Sequence, residues 1–160
     1  MERVWTFVDT AVTATLVDFA DPALAGEPDV RERGVRLEVR PVRWSTTGSI
    51  YSSPALTLGP AAVRVDLLES APGAADRMHW HPRMSDGEPG DRTFDPAMVA
   101  DPAGWVRAWL GRVGEWCAAE DVPRIAAVGD EVVAVVEQLM TEARRPWPDV
   151  EHDERGLVVA

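Results

Sequence analysis

The order of the apolar patterns along this chain predicts an α+β fold. We expect an N-terminal antiparallel β-sheet or partly closed barrel, followed by two C-terminal antiparallel helices. In the first half of the chain, apolar residues alternate with polar ones, as they do in strands that bury one face. In the second half, the apolar residues recur at helical spacing. Strands that precede helices, instead of alternating with them, favour α+β over a parallel βαβ arrangement.

The strands are predicted with unequal clarity. Segments 34–40 (GVRLEVR) and 62–70 (AVRVDLLES) are the clearest, because apolar and charged residues alternate in both. Segments 4–8 and 50–58 give weaker strand patterns. Segment 12–19 fits a strand by its alternation and a helix by its apolar spacing. Its β-branched residues favour the strand.

Capping residues locate the helices. Asp101 is a suitable N-cap and Pro102 a suitable first helical residue, so a helix is predicted from there to about Ala119. A second helical pattern follows Asp121 or Asp130, as one long helix or as a short helix and a longer one. The prolines that follow this pattern end it.

Length and composition bound the domain organisation. We expect one domain with four regions, because 160 residues suffice for one core without disulfides. The regions are a β-rich part over 1–85, a site loop over 82–100, a helical part over 101–146 and a tail over 147–160. The single cysteine, Cys117, falls on the apolar face of a predicted helix and is interpreted as a buried structural thiol.

Charge and residue usage exclude several classes of function. The net charge of −11 opposes binding to nucleic acid or to anionic membranes. All sixteen basic residues are arginines, so covalent pyridoxal phosphate and a P-loop lysine are excluded, and no nucleotide motif is present. There is no signal-peptide pattern and no long apolar run. We expect a cytoplasmic protein with a small-molecule ligand or substrate, and leave a homodimer open.

Two of the three histidines, His79 and His81, lie where the β-rich half meets the helical half. Residues i and i+2 of a strand point to one face, so these imidazoles would lie side by side. Met78 and Trp80 would then face the helices. Neutral imidazoles bind divalent transition metals, so the pair predicts a site for Fe, Zn, Mn, Cu or Ni.

Carboxylates that follow the histidines would complete the ligand set. Glu88 and Asp91 are the nearest candidates, and either would make a triad of two histidines and one acid. The predicted catalytic residues are His79, His81 and Glu88, with Glu88 as third ligand or general base. His152 could add a third imidazole if the tail folds back. Alternatively, the histidines are polar residues on a solvent face and the acids are ordinary turn residues.

The spacing Gly73-x5-His79-x-His81 resembles the start of the first cupin motif, in which a glycine precedes two histidines and a glutamate follows them. The resemblance implies a small antiparallel β-barrel that holds a metal inside it. It also implies that His79 and His81 are metal ligands and that Glu88 is the acid. Here Glu88 comes later than the family's glutamate, and the second cupin motif is absent.

The polar faces of the clear strands supply candidate substrate-binding residues. Arg36, Arg40 and Arg64 could bind a substrate carboxylate, and Trp44 could line a ligand cavity. Cross-strand ion pairs on a solvated face are the alternative. Three functions therefore stay open: a small metal-dependent enzyme (oxygenase, lyase or isomerase), a metal-free acid/base enzyme (isomerase, lyase or cyclase), and a non-catalytic binding or interaction module.

Overall fold

The sheet of this protein is antiparallel and open. The computed structural model describes residues 1–24, 27 and 30–159. Within these residues the strands follow the spatial order β1-β2-β3-β5-β6, and β4 pairs with the far end of β3. Their bounds are β1 Glu2–Thr6, β2 Thr10–Ala20, β3 Arg31–Ser45, β4 Ala55–Leu58, β5 Val63–Glu69 and β6 His79–His81. Two short strands, β7 Met84–Ser85 and β8 Glu88–Pro89, form a separate hairpin.

Four helices follow the sheet in the described part of the chain. They are α1 Pro96–Ala100, α2 Pro102–Leu110, α3 Val122–Ala127 and α4 Gly129–Ala143. The predicted antiparallel sheet with helices after it is confirmed, but the sheet does not close into a barrel. None of the described helices is long and apolar enough to cross a membrane.

Some predicted bounds differ from the structure. The first long helix ends at Leu110 rather than near Ala119, because Gly111 follows it and a 3-10 turn over Val113–Glu115 replaces the next helical turn. The second pattern divides into the short α3 and the longer α4, as one alternative predicted. The ambiguous segment 12–19 is confirmed as a strand, within β2.

Two weaker predictions, the strand over 50–58 and the tail over 147–160, have mixed outcomes. Of segment 50–58, only Ala55–Leu58 is a strand, and the residues before it form a turn. The tail from Trp147 contributes isolated bridges, one of which joins Leu157 to Phe19. The last residue of the predicted tail, Ala160, lies outside the described residues.

The sheet has one apolar face, and the helices pack on it. Val35, Leu37 and Val39 of β3 are fully buried there, with Val63 and Val65 of β5 beside them. Each such side chain stabilises the fold by about 1.5–3 kcal/mol through loss of its hydrated surface. The core therefore lies between the sheet and the helices, and the opposite sheet face is left for polar side chains.

Candidate metal centre

The strand register brings a carboxylate and two histidines together on the polar sheet face. β6 pairs with β5 so that His79 lies opposite Asp66 and His81 opposite Arg64. β5 in turn pairs with β3, which places Arg36 opposite Asp66. Alternate residues of a strand share a face, so all these side chains are on the side away from the helices.

The residue between the two histidines faces the helices, as predicted. The Trp80 ring lies 5.8 Å from the Trp105 ring and 5.9 Å from the Trp116 ring, centroid to centroid. Met78 is also buried in the apolar core. Because this core side anchors the short β6, the imidazoles on its other side are held in a fixed position.

Asp66, His79 and His81 form a compact buried cluster. One potential ligand atom from each residue lies within 4.8 Å of the other two. The Oδ2 atom of Asp66 is 3.7 Å from Nε2 of His79 and 3.9 Å from Nε2 of His81. The three residues are 2%, 4% and 4% exposed, respectively. Elsewhere among the described residues, no other group of this kind could hold a metal ion.

Backbone carbonyls fix the tautomer of both imidazoles. Nδ1 of His79 lies 2.8 Å from the carbonyl oxygen of Arg77, and Nδ1 of His81 lies 2.9 Å from that of Gly90. A carbonyl oxygen only accepts hydrogen bonds, so each Nδ1 carries a proton and donates it. In the neutral rings, each Nε2 is left with a lone pair that faces the cluster. This arrangement is usual for histidines that bind metals.

Burial favours the neutral form of His79. Loss of hydration lowers the pKa of His79, although its hydrogen bond to Arg77 and the charge of Asp66 act in the opposite direction. The nearby positive charge of Arg92 lowers it further. Nε2 of His79 is therefore available as a ligand at neutral pH, without first losing a proton.

Arg36 orients the carboxylate. Its Nε donates to Oδ1 of Asp66 at 2.7 Å, and a terminal nitrogen donates to Oδ2 at 3.3 Å. The closer bond holds Oδ1, which leaves Oδ2 as the oxygen nearest the histidines. Second partners of this kind fix ligating carboxylates in metal sites.

The cluster has nearly the dimensions of a metal site. Ligand atoms about 2.0–2.2 Å from one tetrahedral ion lie roughly 3.4 Å apart. The two distances from Asp66 to the imidazoles, 3.7 and 3.9 Å, are slightly longer. All three ligand atoms lie within 4.8 Å of one another, so the side chains would have to move closer together to bind one ion.

The structure does not bring the predicted acids, Glu88 and Asp91, into the cluster. Glu88 is exposed and lies on β8, which pairs with β7 through a tight turn instead of joining the main sheet. Asp91 is exposed and lines a different cavity. The carboxylate beside the histidines is Asp66, from the preceding strand. Its outward position on β5 was visible in the sequence, but its pairing with His79 was not.

The third histidine is also outside the cluster. Nε2 of His152 lies 3.9 Å from Oδ1 of Asp18, and Asp18 also forms an ion pair with Arg31. The tail thus folds back onto β2, where Phe19 pairs with Leu157, and does not reach the two histidines.

Most of the predicted substrate-binding residues have partners in the protein. Arg36 binds Asp66, while Arg40 and Arg64 both donate to the carboxylate of Glu38. Cross-strand pairing on this face was the alternative raised from the sequence. Trp44 is 52% exposed, donates its indole N–H to a backbone carbonyl and does not line the cavity beside the cluster.

A cavity of about 250 Å³ adjoins the cluster and contains residues that the sequence did not indicate. Glu32 lines it and is only 7% exposed, and its burial raises the pKa of the carboxyl group. Arg92 lines it from the segment that follows the β7–β8 hairpin. The ring of Phe94 lies 5.9 Å from that of His79. Only the strand pairing could have identified these three residues.

Comparisons with known proteins found no match for this chain among protein families, curated proteins or solved structures. The resemblance to cupins stays a prediction based on the spacing of Gly73, His79 and His81. The function is therefore inferred from the chemistry of the cluster and its cavity.

Proposed function

We propose that this protein is a small metal-dependent enzyme that acts on a small organic molecule. Asp66, His79 and His81 would bind one divalent transition-metal ion, and the adjoining cavity would hold the substrate. The observation that supports this most directly is that three buried residues each place one potential ligand atom within 4.8 Å of the other two. The tautomers of His79 and His81 add to it, because both imidazoles have their lone pairs on the same side.

A purely structural role explains the cluster less well. The two imidazoles line the cavity, and their Nε2 atoms are not among the fully buried atoms that lack a hydrogen-bond partner, so a structural role would leave these nitrogens to water. The Nε2 atoms of His79 and His81 are too far from Asp66 for a hydrogen bond. Their Nδ1 atoms are fully used by backbone carbonyls. A bound cation would engage both Nε2 atoms and Oδ2 of Asp66 at once, and Oδ2 could keep its long hydrogen bond from Arg36.

The ligand set narrows the chemistry. Two imidazoles and one carboxylate suit Fe, Zn, Mn, Cu or Ni, and the same set serves non-heme iron oxygenases. Three ligands on one side of an ion leave positions for water and substrate. A metal held in this way supplies Lewis-acid chemistry or an activated water. The reaction classes that fit are oxygenase, lyase and isomerase.

Glu32 is the proposed proton-transfer residue. It lines the same cavity as His79 and is nearly fully buried. Burial raises its carboxyl pKa, against the opposing charges of Arg77 and Arg92. A carboxyl group tuned toward neutral pH is suited to donate and accept protons during turnover.

Metal content tests the proposal directly. Untagged protein should contain about one equivalent of a transition metal by plasma mass spectrometry, or take it up when Fe, Zn, Mn, Cu or Ni is added. The His79→Ala/His81→Ala double variant should bind none. His152→Ala is the matched control and should retain the metal, because His152 lies outside the cluster.

Circular dichroism of each variant separates loss of metal from loss of fold. A folded double variant that still holds one equivalent would contradict the proposed ligands. Native protein that neither contains nor takes up any of the five metals would overturn the metal-dependent function.

A metal-free acid/base enzyme is the second candidate, and one observation favours it. The cavity contains both a carboxyl group whose pKa is raised, Glu32, and a histidine whose pKa is lowered, His79. Two groups whose pKa values are shifted toward one another in this way can exchange protons with a substrate. A metal-free enzyme of this kind would keep its turnover after a chelator removes metal. It would lose turnover in the Glu32→Gln variant.

A further inference from the structure

The cavity beside the cluster is rich in arginine, although the chain as a whole carries a net charge of −11. Arg36, Arg64 and Arg92 line it. The charge of Asp66 is balanced by Arg36, and Arg64 uses its Nε to bind Glu38. A bound divalent cation would add further positive charge. Two carboxyl groups, Asp66 and Glu32, also line the cavity, but its three arginines still outnumber them, and an excess of positive charge concentrates small anions.

Arg92 is the one of these three arginines whose charge is not held in an ion pair of the described chain, although it acts at longer range on Glu32, which lines the same cavity. It has no ion-pair partner within 4.0 Å among the residues that the structure describes. Thr93 forms an isolated antiparallel bridge with Trp80. Its neighbours therefore lie beside the histidines, Arg92 next to His81 and Phe94 next to His79. Arg92 also lines the same cavity as His79 and His81. An anion bound to Arg92 would therefore lie next to the proposed metal.

The rest of the cavity is small and partly apolar. Its volume of about 250 Å³ is below the ~300–1,000 Å³ of sites for drug-sized ligands. Phe19, Leu68 and Pro89 contribute apolar surface to it. Phe94 is 67% exposed with its ring against His79, so it offers an aromatic face at the same site. Nucleotides are too large for this space, and a wholly polar anion would leave the apolar walls unused.

We propose that the cavity binds a small organic carboxylate whose apolar part is an aromatic ring or a short alkyl chain. Arg92 binds the carboxylate, with the free terminal nitrogens of Arg64 as a second donor. Phe19, Leu68 and Phe94 contact the apolar part. This inference rests on the proposed function, because it takes the cavity beside the metal ligands as the substrate site.

The test uses three acids, each with its uncharged amide. Benzoate, phenylacetate and hexanoate are titrated into full-length protein after metal removal by a chelator, and again after reloading with Zn²⁺. Binding is measured by calorimetry and by the NMR chemical shifts of the protein's backbone amides. At least one acid should bind in both states about tenfold more tightly than its amide, because a charged hydrogen bond contributes more than a neutral one.

Two variants locate the binding group. Arg92→Gln should weaken binding of the preferred acid about tenfold, since it removes the charge but keeps a polar side chain. Arg83→Gln is the matched control: Arg83 is also an exposed arginine of this region, but it lines a different cavity. It should bind the acid as the native protein does.

Each outcome bears on one of the two proposals. If no acid binds better than its amide, or if Arg92→Gln binds as well as Arg83→Gln, the carboxylate inference is overturned. Selective binding in metal-free protein, combined with failure to take up any metal, would support the carboxylate site and overturn the metal-dependent function. Metal uptake without selectivity for acids would support the metal-dependent function and overturn the carboxylate site.

Discussion

The two faces of the central sheet use the same strands for different purposes. On the helix side, Val35, Leu37 and Val39 of β3 join the apolar core. On the other side, Arg36 and Glu38 of the same strand form ion pairs with Asp66 and Arg64 of β5. Apolar burial depends on area and needs no particular partner, whereas each charge needs a specific one. Stability and chemistry are therefore separable in this sheet, because side chains alternate between its two faces.

The largest effect on stability is expected on the helix face. Leu37→Ala should lower the free energy of unfolding by about 2–5 kcal/mol, because Leu37 is fully buried and its truncation leaves a cavity. Urea unfolding followed by circular dichroism measures this. Thr15→Ala, on the polar face of the neighbouring strand, is the control and should cost less than about 1 kcal/mol. Equal losses in the two variants would remove the distinction between the faces.

The next prediction concerns the ligand that the sequence did not identify. Asp66→Asn should reduce metal affinity more than about a hundredfold, since it removes the anionic ligand itself. Glu88→Gln should leave metal content unchanged, because Glu88 is exposed on the separate hairpin. Competition with a chromogenic chelator measures both affinities. The reverse result would restore Glu88 as the carboxylate of the site.

A smaller effect on metal affinity is expected for Arg36, which contacts the ligand Asp66 but not the ion. Arg36→Gln should lower metal affinity about tenfold, because Arg36 holds the Asp66 carboxylate in position and does not itself bind the ion. The same chelator competition applies, with Arg40→Gln as the control, since Arg40 binds Glu38. A loss as large as that of Asp66→Asn would mean that Arg36 contributes more than orientation.

The smallest effect is a change in the pH dependence of stability. The folded state raises the pKa of Glu32, so it binds that proton more tightly than the unfolded chain does. Glu32 therefore destabilises the fold as pH rises above its unfolded pKa, near 4.5. Glu32→Gln should raise the melting temperature at pH 7 more than at pH 4. An equal shift at both pH values would show that the carboxylate charge is not the cause.

His79 affects the pH dependence of stability in the opposite direction. Its pKa is lowered in the folded state, so the unfolded chain binds the proton more tightly. Stability contributed by the neutral ring should be lost as pH falls below the unfolded value of 6.5. Thermal melts of metal-free native protein and His79→Gln between pH 7 and pH 5 should converge as pH falls. Parallel curves would contradict the lowered pKa.

The helix face and the histidine pair could be predicted from sequence because both depend on local periodicity. Alternation placed Val35 and Leu37 on one side of β3, and the His-x-His spacing placed His79 and His81 together. Such patterns fix the face of a residue without knowledge of any other strand. They therefore survive errors in the predicted element bounds.

The remaining parts of the site depend on strand register, which a single sequence does not reveal. Asp66 meets His79 only through the pairing of β5 with β6. Glu32 falls in β3, before the segment whose alternation was clear, so it was not assigned to the strand face. Glu88 was chosen because it is close in sequence, but the turn after Ser85 returns its strand to β7 instead of the sheet.

The placement of all three proposed ligands on β5 and β6 has a consequence for assembly. Because these strands are consecutive and antiparallel, closing the loop between them costs little more entropy than a shorter loop would. A metal ion could then cross-link this segment while the remaining strands are still unpaired, and so guide the β5–β6 register as the chain folds. Affinity for the unfolded chain would also make the ion raise equilibrium stability by less than its affinity for the native protein implies.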